Sequence, residues 1–274
     1  MRTDESELVA FAMIEIPKLK VRERTGIYAP GKARITQILS SALDILIKEG
    51  HAAVTLREIA RRCGVRVGAV SYYYSSRSAL IRDLLDSAVA PYYEIFGSLV
   101  HDKSYSSEER LERLIRLNIR DLRTEKTSKF FPELWVMANR DRFASRLVET
   151  IYKRQRDTFE QVIAELNPRL GKRELKLLAL FVSSAQEGLT MFVGYKKRWS
   201  GSLPEIENIA VKGLLDLVKS ITNEDVRRTV PSLENQPKTN TRVIRNRSAG
   251  ARAKGDLAAG RTGDLERRDI PRRS

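Results

Sequence analysis

Residues 55–80 read TLREIARRCGVRVGAVSYYYSSRSAL, and this stretch decides the fold. Thr55 stands just before an apolar-periodic run, with Glu58 three positions on, which is the spacing of a capping box at a helix start. Leu56, Ile59 and Ala60 fall on one face of that helix. The helix is expected to run to about Cys63 and stop at Gly64, because the turn needs a residue that tolerates positive φ. A second short helix is expected from near Arg66 to about Tyr73. Its outer face holds Arg66, Val67, Ser71 and Tyr72; its inner face holds Val65, Ala69 or Val70, and Tyr73 or Tyr74. Ser75 or Ser76 then caps a further helix that carries Leu80, Leu84 and Leu85 inward. Helix, tight turn and helix make a helix-turn-helix layout, and a helix this short fits the roughly 12 Å wide major groove of B-DNA. At Gly68 a residue without a side chain lets the backbone approach the duplex closely.

Working outward, Ile35, Ile38, Leu39, Ala42 and Leu46 recur at intervals of three and four, so a helix from Lys32 is expected to close at Gly50. Downstream, helices are expected over 80–99, 107–124, 128–139, 142–166, 171–197 and 204–221. Pro91 and Pro132 are expected to kink or start helices. No stretch alternates with period two, so the fold class is all-α: an N-terminal three-helix DNA-binding domain and a C-terminal helical domain. Residues 1–30 read as an extension, frayed or locally docked, with a short helix over 6–16. Residues 31–80 form the helix-turn-helix domain and 81–223 the second domain. Residues 224–274 read as a basic tail, too poor in apolar side chains to offset its chain entropy.

The chain has 274 residues, 42% of them hydrophobic and 31% charged, enough for a sizeable core. No apolar run approaches the roughly 18 residues of a membrane span. The early apolar run Leu8 to Ile14 follows Asp4, Glu5 and Glu7, unlike a secretory signal. Cys63 is alone, which excludes a disulfide framework and points to the cytoplasm. The net charge of +15 is uneven: zero over 1–30, +5 over 31–80, +2 over 81–225 and +8 over 226–274. An excess held in an early block and a late tail suits a polyanion partner. An enzyme finds little support. His51 and His101 have no neighbouring His or Cys of metal-ligand spacing, no phosphate-cradling Gly-rich loop appears, and Glu58, Glu108, Glu109 and Glu112 suit capped or solvated helix faces. No cofactor or metal is expected.

The run 38–80 resembles the N-terminal domain of the TetR (tetracycline-repressor) family of bacterial transcription regulators. The residues that carry the likeness are Ala42-Leu43, Gly50-His51, Thr55 to Ala60, Gly64-Val65, Gly68 to Tyr74 and Ser76 to Leu80. Many members have Tyr where Ser71 stands, Lys where Arg77 stands and Phe where Tyr74 stands. The resemblance implies that Thr55 and Tyr72 touch the DNA backbone and that Arg77 is a phosphate-contacting cation. Lys32 and Arg34 are expected beside phosphates. Arg66, Val67, Ala69 and Ser71 are expected to face bases, with Arg66 a candidate for a bidentate guanine contact or a phosphate contact.

The resemblance further implies a homodimer on an inverted-repeat operator and a small apolar or amphipathic ligand that releases a repressor. An activator, or a nonspecific nucleic-acid binder driven by the tail, is the alternative. Two stripes suit a four-helix dimer interface: Leu177, Leu178, Phe181, Ala185, Gly188, Leu189 and Phe192, and Ile206, Ile209, Ala210, Gly213, Leu214, Leu217 and Ile221. Candidate pocket residues are Asn118, Phe131, Trp135, Met137, Phe181, Gln186 and Phe192, although aromatic and Met side chains at helical spacing are core residues more often than ligand contacts.

Overall fold

The computed structural model describes residues 18–22 and 28–228, and among them there is no strand. The expected helix at 6–16 and the tail from 229 onward lie outside the described residues. Helix α1 (Ala29–Glu49) starts three residues earlier than its apolar period, because Pro30 occupies its first turn, where a missing N–H costs nothing. It ends at Gly50, whose φ of 83° suits glycine. A single 3₁₀ turn (His51–Ala53) leads to α2 (Leu56–Cys63) and, after Gly64 at φ 65°, to α3 (Val67–Tyr73).

Helix α4 (Arg77–His101), capped by Ser76, runs unbroken through Pro91. Proline has no N–H to give the carbonyl four residues back, and that carbonyl, on Ser87, accepts the Lys20 amide instead at 2.8 Å. The 18–22 segment is therefore docked: Leu19 and Val21 pack against the core, and Lys20 pairs with Glu94.

Helices α5 (Ser107–Asp121), α6 (Glu125–Ala138), α7 (Arg142–Leu166), α8 (Lys172–Val193) and α9 (Leu203–Ser220) follow. Pro132 also lies inside its helix, α6. A last turn, α10 (Asn223–Arg227), extends past the expected end of the apolar period. Polar groups hold it: Asn223 accepts the Gly171 amide at 2.7 Å, and Arg227 pairs with Glu174 at 2.8 Å. Residues 224–228, which the sequence assigns to the tail, thus belong to the helical body.

Two cores form. The first joins α1, α2, α3 and the first half of α4 to Phe130, Phe131 and Leu134 of α6 and Ala144, Leu147 and Ile151 of α7. The second joins the end of α4 to α5, α7, α8 and α9. Helix α4 crosses position 80 without a break and shares both cores. Among the described residues no helix is long and apolar enough to cross a membrane.

Candidate DNA-reading surface and interior cavity

Thr55 caps α2 by accepting the Glu58 amide at 3.1 Å. Only this half of the expected capping box forms. The Glu58 carboxylate turns to Arg61, at 2.8 and 2.6 Å, and to Arg62, at 2.9 Å. Hydrogen bonds from these two guanidinium groups lower its pKa to about 2. Arg62 also reaches Glu49, tying α2 to the end of α1.

Past the Gly64 turn, α3 buries Val70 and leaves Arg66, Val67, Gly68, Ala69, Ser71 and Tyr72 exposed. Of the inner-face alternatives, Val70 and Tyr74 are the buried pair, and Ala69 faces out. The Tyr74 hydroxyl, polar where the family carries Phe, donates to Asp83 at 2.5 Å. Tyr72 is 83% exposed, an unusual position for an aromatic ring, and stands edge-on to Tyr73 at 5.0 Å. Lys32 and Thr55 are exposed at the starts of α1 and α2.

Arg77, expected as a phosphate-contacting cation, is exposed and also bonded within the chain. Its Nε donates to the Val54 carbonyl at 2.6 Å and its Nη2 to the His51 carbonyl at 2.5 Å. The guanidinium therefore braces the turn that presents Thr55. Sequence reasoning missed this because carbonyl acceptors leave no mark on residue type. It also missed the link on the other side of that turn. Glu133 of α6 accepts from the His51 amide at 2.9 Å and lies 2.8 Å from His51 Nδ1.

Helices α4 to α8 enclose a cavity of about 270 Å³. Three of the predicted pocket residues, Asn118, Phe131 and Gln186, line it, together with Tyr92, Tyr93, Phe96, Asp121, Tyr152, Gln155 and Glu187. Trp135 stands behind the wall and donates from its indole to Tyr152 Oη at 2.8 Å. The other three predictions are corrected. Met137 is buried in the first core. Phe181 and Phe192 point away from the cavity, 54% and 64% exposed on the outer face of α8. Helix α8 carries two apolar faces, so spacing alone does not tell cavity from surface. Leu178, Ala179 and Val182 point inward, whereas Leu177, Leu180, Phe181, Met191 and Phe192 point out.

Burial dominates at several titrating groups in and beside the cavity. It raises the Asp121 carboxyl, against hydrogen bonds from Thr127 and Tyr92, and raises the Glu187 carboxyl, against Gln155 and Tyr152. It lowers Lys126, beside Asp121, to about 8. The phenols of Tyr92, Tyr93 and Tyr152 are all pushed upward for the same reason.

A helix-turn-helix head with an exposed reading helix, fused through a shared core to a helical body with an interior cavity, defines a class: helix-turn-helix transcriptional regulators. The model of bacterial regulatory proteins of the tetR family matches residues 38–84, and that of the BetI-type transcriptional repressor C-terminal domain matches 107–202. The chain belongs to the TetR family.

Solved structures share the fold. A candidate transcriptional regulator from Pseudomonas aeruginosa PAO1 has a TM-score of 0.61 at 16% identity, over 76% of this chain and 100% of that one. One from Saccharomonospora viridis, in complex with choline, has a TM-score of 0.56 at 18% identity, over 69% and 97%. The regulator FadR from Bacillus subtilis, in complex with stearoyl-CoA, has a TM-score of 0.51 at 15% identity, over 68% and 97%. No curated protein matches the sequence significantly.

Proposed function

We propose that the chain is a homodimeric, sequence-specific repressor that binds an inverted-repeat operator in the cytoplasm and is released by a small molecule held in the interior cavity. The observation that carries the DNA-binding part is the outer face of α3, where Arg66, Ser71 and an 83% exposed Tyr72 stand together. In this reading Arg66, Val67, Ala69 and Ser71 face bases, Thr55, Tyr72 and Lys32 meet the backbone, and Gly68 lets α3 sit close. Arg77 acts through the turn it braces, with Nη1 left for a phosphate.

The dimer is supported by the outer faces of α8 and α9. Phe181, Met191, Phe192 and Ile209 are each more than half exposed. Cβ atoms at Gly188 and Gly213 would meet nothing within 4 Å, so close packing inside the subunit does not explain these helix-weakening glycines.

Helix α6 supplies a route from cavity to reading head. It places Phe131 in the cavity wall and Glu133 on the turn before α2. A ligand that moves α6 shifts the His51 turn and, with it, the balance between DNA-competent and released geometries. Fold neighbours bound to choline and to stearoyl-CoA support a ligand-holding body.

Selection of bound sites from a random double-stranded DNA pool, at near-physiological salt, tests the proposal. An inverted repeat is expected; binding without an enriched motif would instead favour charge-driven binding. Within that site, Arg66→Ala is expected to relax one base position, lowering discrimination there by about 5- to 150-fold, the equivalent of roughly 1–3 kcal/mol. Uniform weakening on all sequences would reassign Arg66 to phosphate.

Gly68→Ala separates stability from binding. Space is open around the position, so the variant is expected to gain up to about 1 kcal/mol in urea unfolding. Its operator affinity is expected to fall, because the new methyl group stands between α3 and the groove. Unchanged affinity would show that the backbone keeps its distance.

A further inference from the structure

Pro91 divides α4 into two halves with different neighbours. Before it, Leu80, Ile81, Leu84 and Leu85 are buried in the first core. After it, Tyr92, Tyr93 and Phe96 line the cavity. At the break the carbonyl of the buried Ser87 has lost its helical donor, and a buried carbonyl without a donor is costly. The Lys20 amide supplies the missing bond at 2.8 Å. Residues 18–22 alternate with period two. Leu19 and Val21 are half-buried against the first core, and Lys18, Lys20 and Arg22 are exposed.

The segment touches both halves of the helix. Lys20 pairs with Glu94, after the proline, and Arg22 lies close enough to Asp86, before it, to favour its charge. Lys18 lies near Lys126, whose ammonium stands over the Tyr92 ring at 4.6 Å. These like charges tie the hold of the segment to the charges of the cavity wall. On its other side, five residues separate Arg22 from Tyr28, the N-cap of α1, a reach of roughly 20 Å at most. The hold is small: one backbone hydrogen bond, two half-buried side chains, and an ion pair whose side chains are both more than half exposed. Contacts of this size can open while both cores stay packed.

We propose that residues 18–22 are a coupling strap: docked across the proline break of α4, they hold the start of α1, with Lys32, in the placement that meets DNA, and Lys20 is the positioning residue. A shift of the cavity half of α4 moves Ser87 against Lys20 and releases the strap, which loosens the start of α1 without unfolding the head. This route is separate from the one through α6 and Glu133. A segment that only patched a proline needs no charged neighbours on both sides of the break. The inference rests on α3 being the DNA-reading helix, and half of its test needs no DNA.

Lys20→Pro and Lys20→Ala, each in the full chain, separate the parts of the strap. Both lose the ion pair, and only the proline loses the amide. The alternation over 18–22 marks extended backbone, which proline and the residue before it both adopt. Lys20→Pro is expected to speed hydrogen exchange by ~5-fold or more over 88–95 in α4 and over 32–38 in α1. Lys20→Ala is expected to stay within about twofold, since exposed ion pairs contribute little. On the inverted repeat that site selection recovers, Lys20→Pro is expected to bind ~5-fold or more weakly with an unchanged salt slope. Thermal melting checks folding. Where Lys20→Pro does not melt cooperatively, Leu19→Ser with Val21→Ser undocks the strap by its apolar side and is expected to give the same losses. Unchanged exchange in both helices would overturn the strap. Faster exchange with unchanged operator affinity would overturn the coupling and leave a structural patch. A salt slope lowered by about 1 in Lys20→Ala would make Lys20 a phosphate contact instead. Faster exchange with no inverted repeat recovered for the unaltered protein would overturn the reading of α3, and the coupling to DNA with it, while keeping the strap.

Discussion

If the proposed dimer forms through the outer face of α8, Phe181→Glu is expected to turn it into a monomer in sedimentation equilibrium and to lower operator affinity by ~100-fold or more, because the linkage of two half-sites is lost. Phe181 is 54% exposed and sits among Leu177, Leu180, Met191 and Phe192 on the outer face of α8, so the subunit itself tolerates the change. A twofold interface presents the same patch from each side. One substitution therefore buries two carboxylates against apolar side chains, each without a counter-charge, and each costs several kcal/mol. A half-site bound alone keeps its few contacts but loses the high effective concentration of its neighbour. A dimer that persists in the variant would move the interface to another surface, and the exposed α8 face would need a different occupant.

Glu207→Ala lowers stability by about 3 kcal/mol in urea unfolding. Glu207 is 3% exposed and accepts from Arg116 Nη1 at 2.7 Å and from Arg120 Nε at 2.8 Å. It joins α9 to α5. Truncating it leaves two guanidinium groups facing a gap, and that uncompensated charge is the costly part. Arg116 and Arg120 are 16% and 21% exposed, and Arg116 keeps Glu112 at 2.7 Å, which holds the loss to the low end of the range for broken buried pairs. Because α9 carries Ile209, the same variant is expected to dissociate at higher protein concentration. A loss below about 1 kcal/mol would mean that the arginines reach water once the carboxylate is gone.

Local chemistry explains which elements were legible. The 55–80 stretch folds as its residues demand because each decision there is short-range. Thr55 and Ser76 meet amides three residues on, and Gly64 meets a turn of its own. Pro30, Pro91 and Pro132 were harder to read. Proline forbids one hydrogen bond, but whether a helix survives depends on what the freed carbonyl finds, and for Pro91 that is Lys20, more than sixty positions away in sequence. The half-formed capping box has the same origin, since the Glu58 carboxylate prefers two nearby guanidinium groups to the Thr55 amide.

The candidate sites divide in the same manner. The outward face of α3 was readable, because amphipathic spacing over seven residues has few solutions. The cavity was legible in part, in Asn118, Phe131, Gln155 and Gln186, because a helix with two apolar faces does not reveal which one meets a hollow. Phe181 and Phe192 fell on the outer side of α8, and Met137 went into the first core instead. Tyr92, Tyr152 and Glu187 carried no signal, since their place in the wall comes from five helices converging.

What the sequence by itself determined is the all-helical class, the position of the reading helix and the family, through caps, a positive-φ glycine and an apolar period that act over a turn or two of chain. Only the tertiary structure decided that Arg77 braces the His51 turn, that Glu133 joins this turn to the cavity helix, and that Glu187 stands part-buried in the cavity wall beside Tyr152 and Gln155. Those outcomes depend on which distant groups meet after packing, and burial then fixes the strength of each charge by removing the water around it.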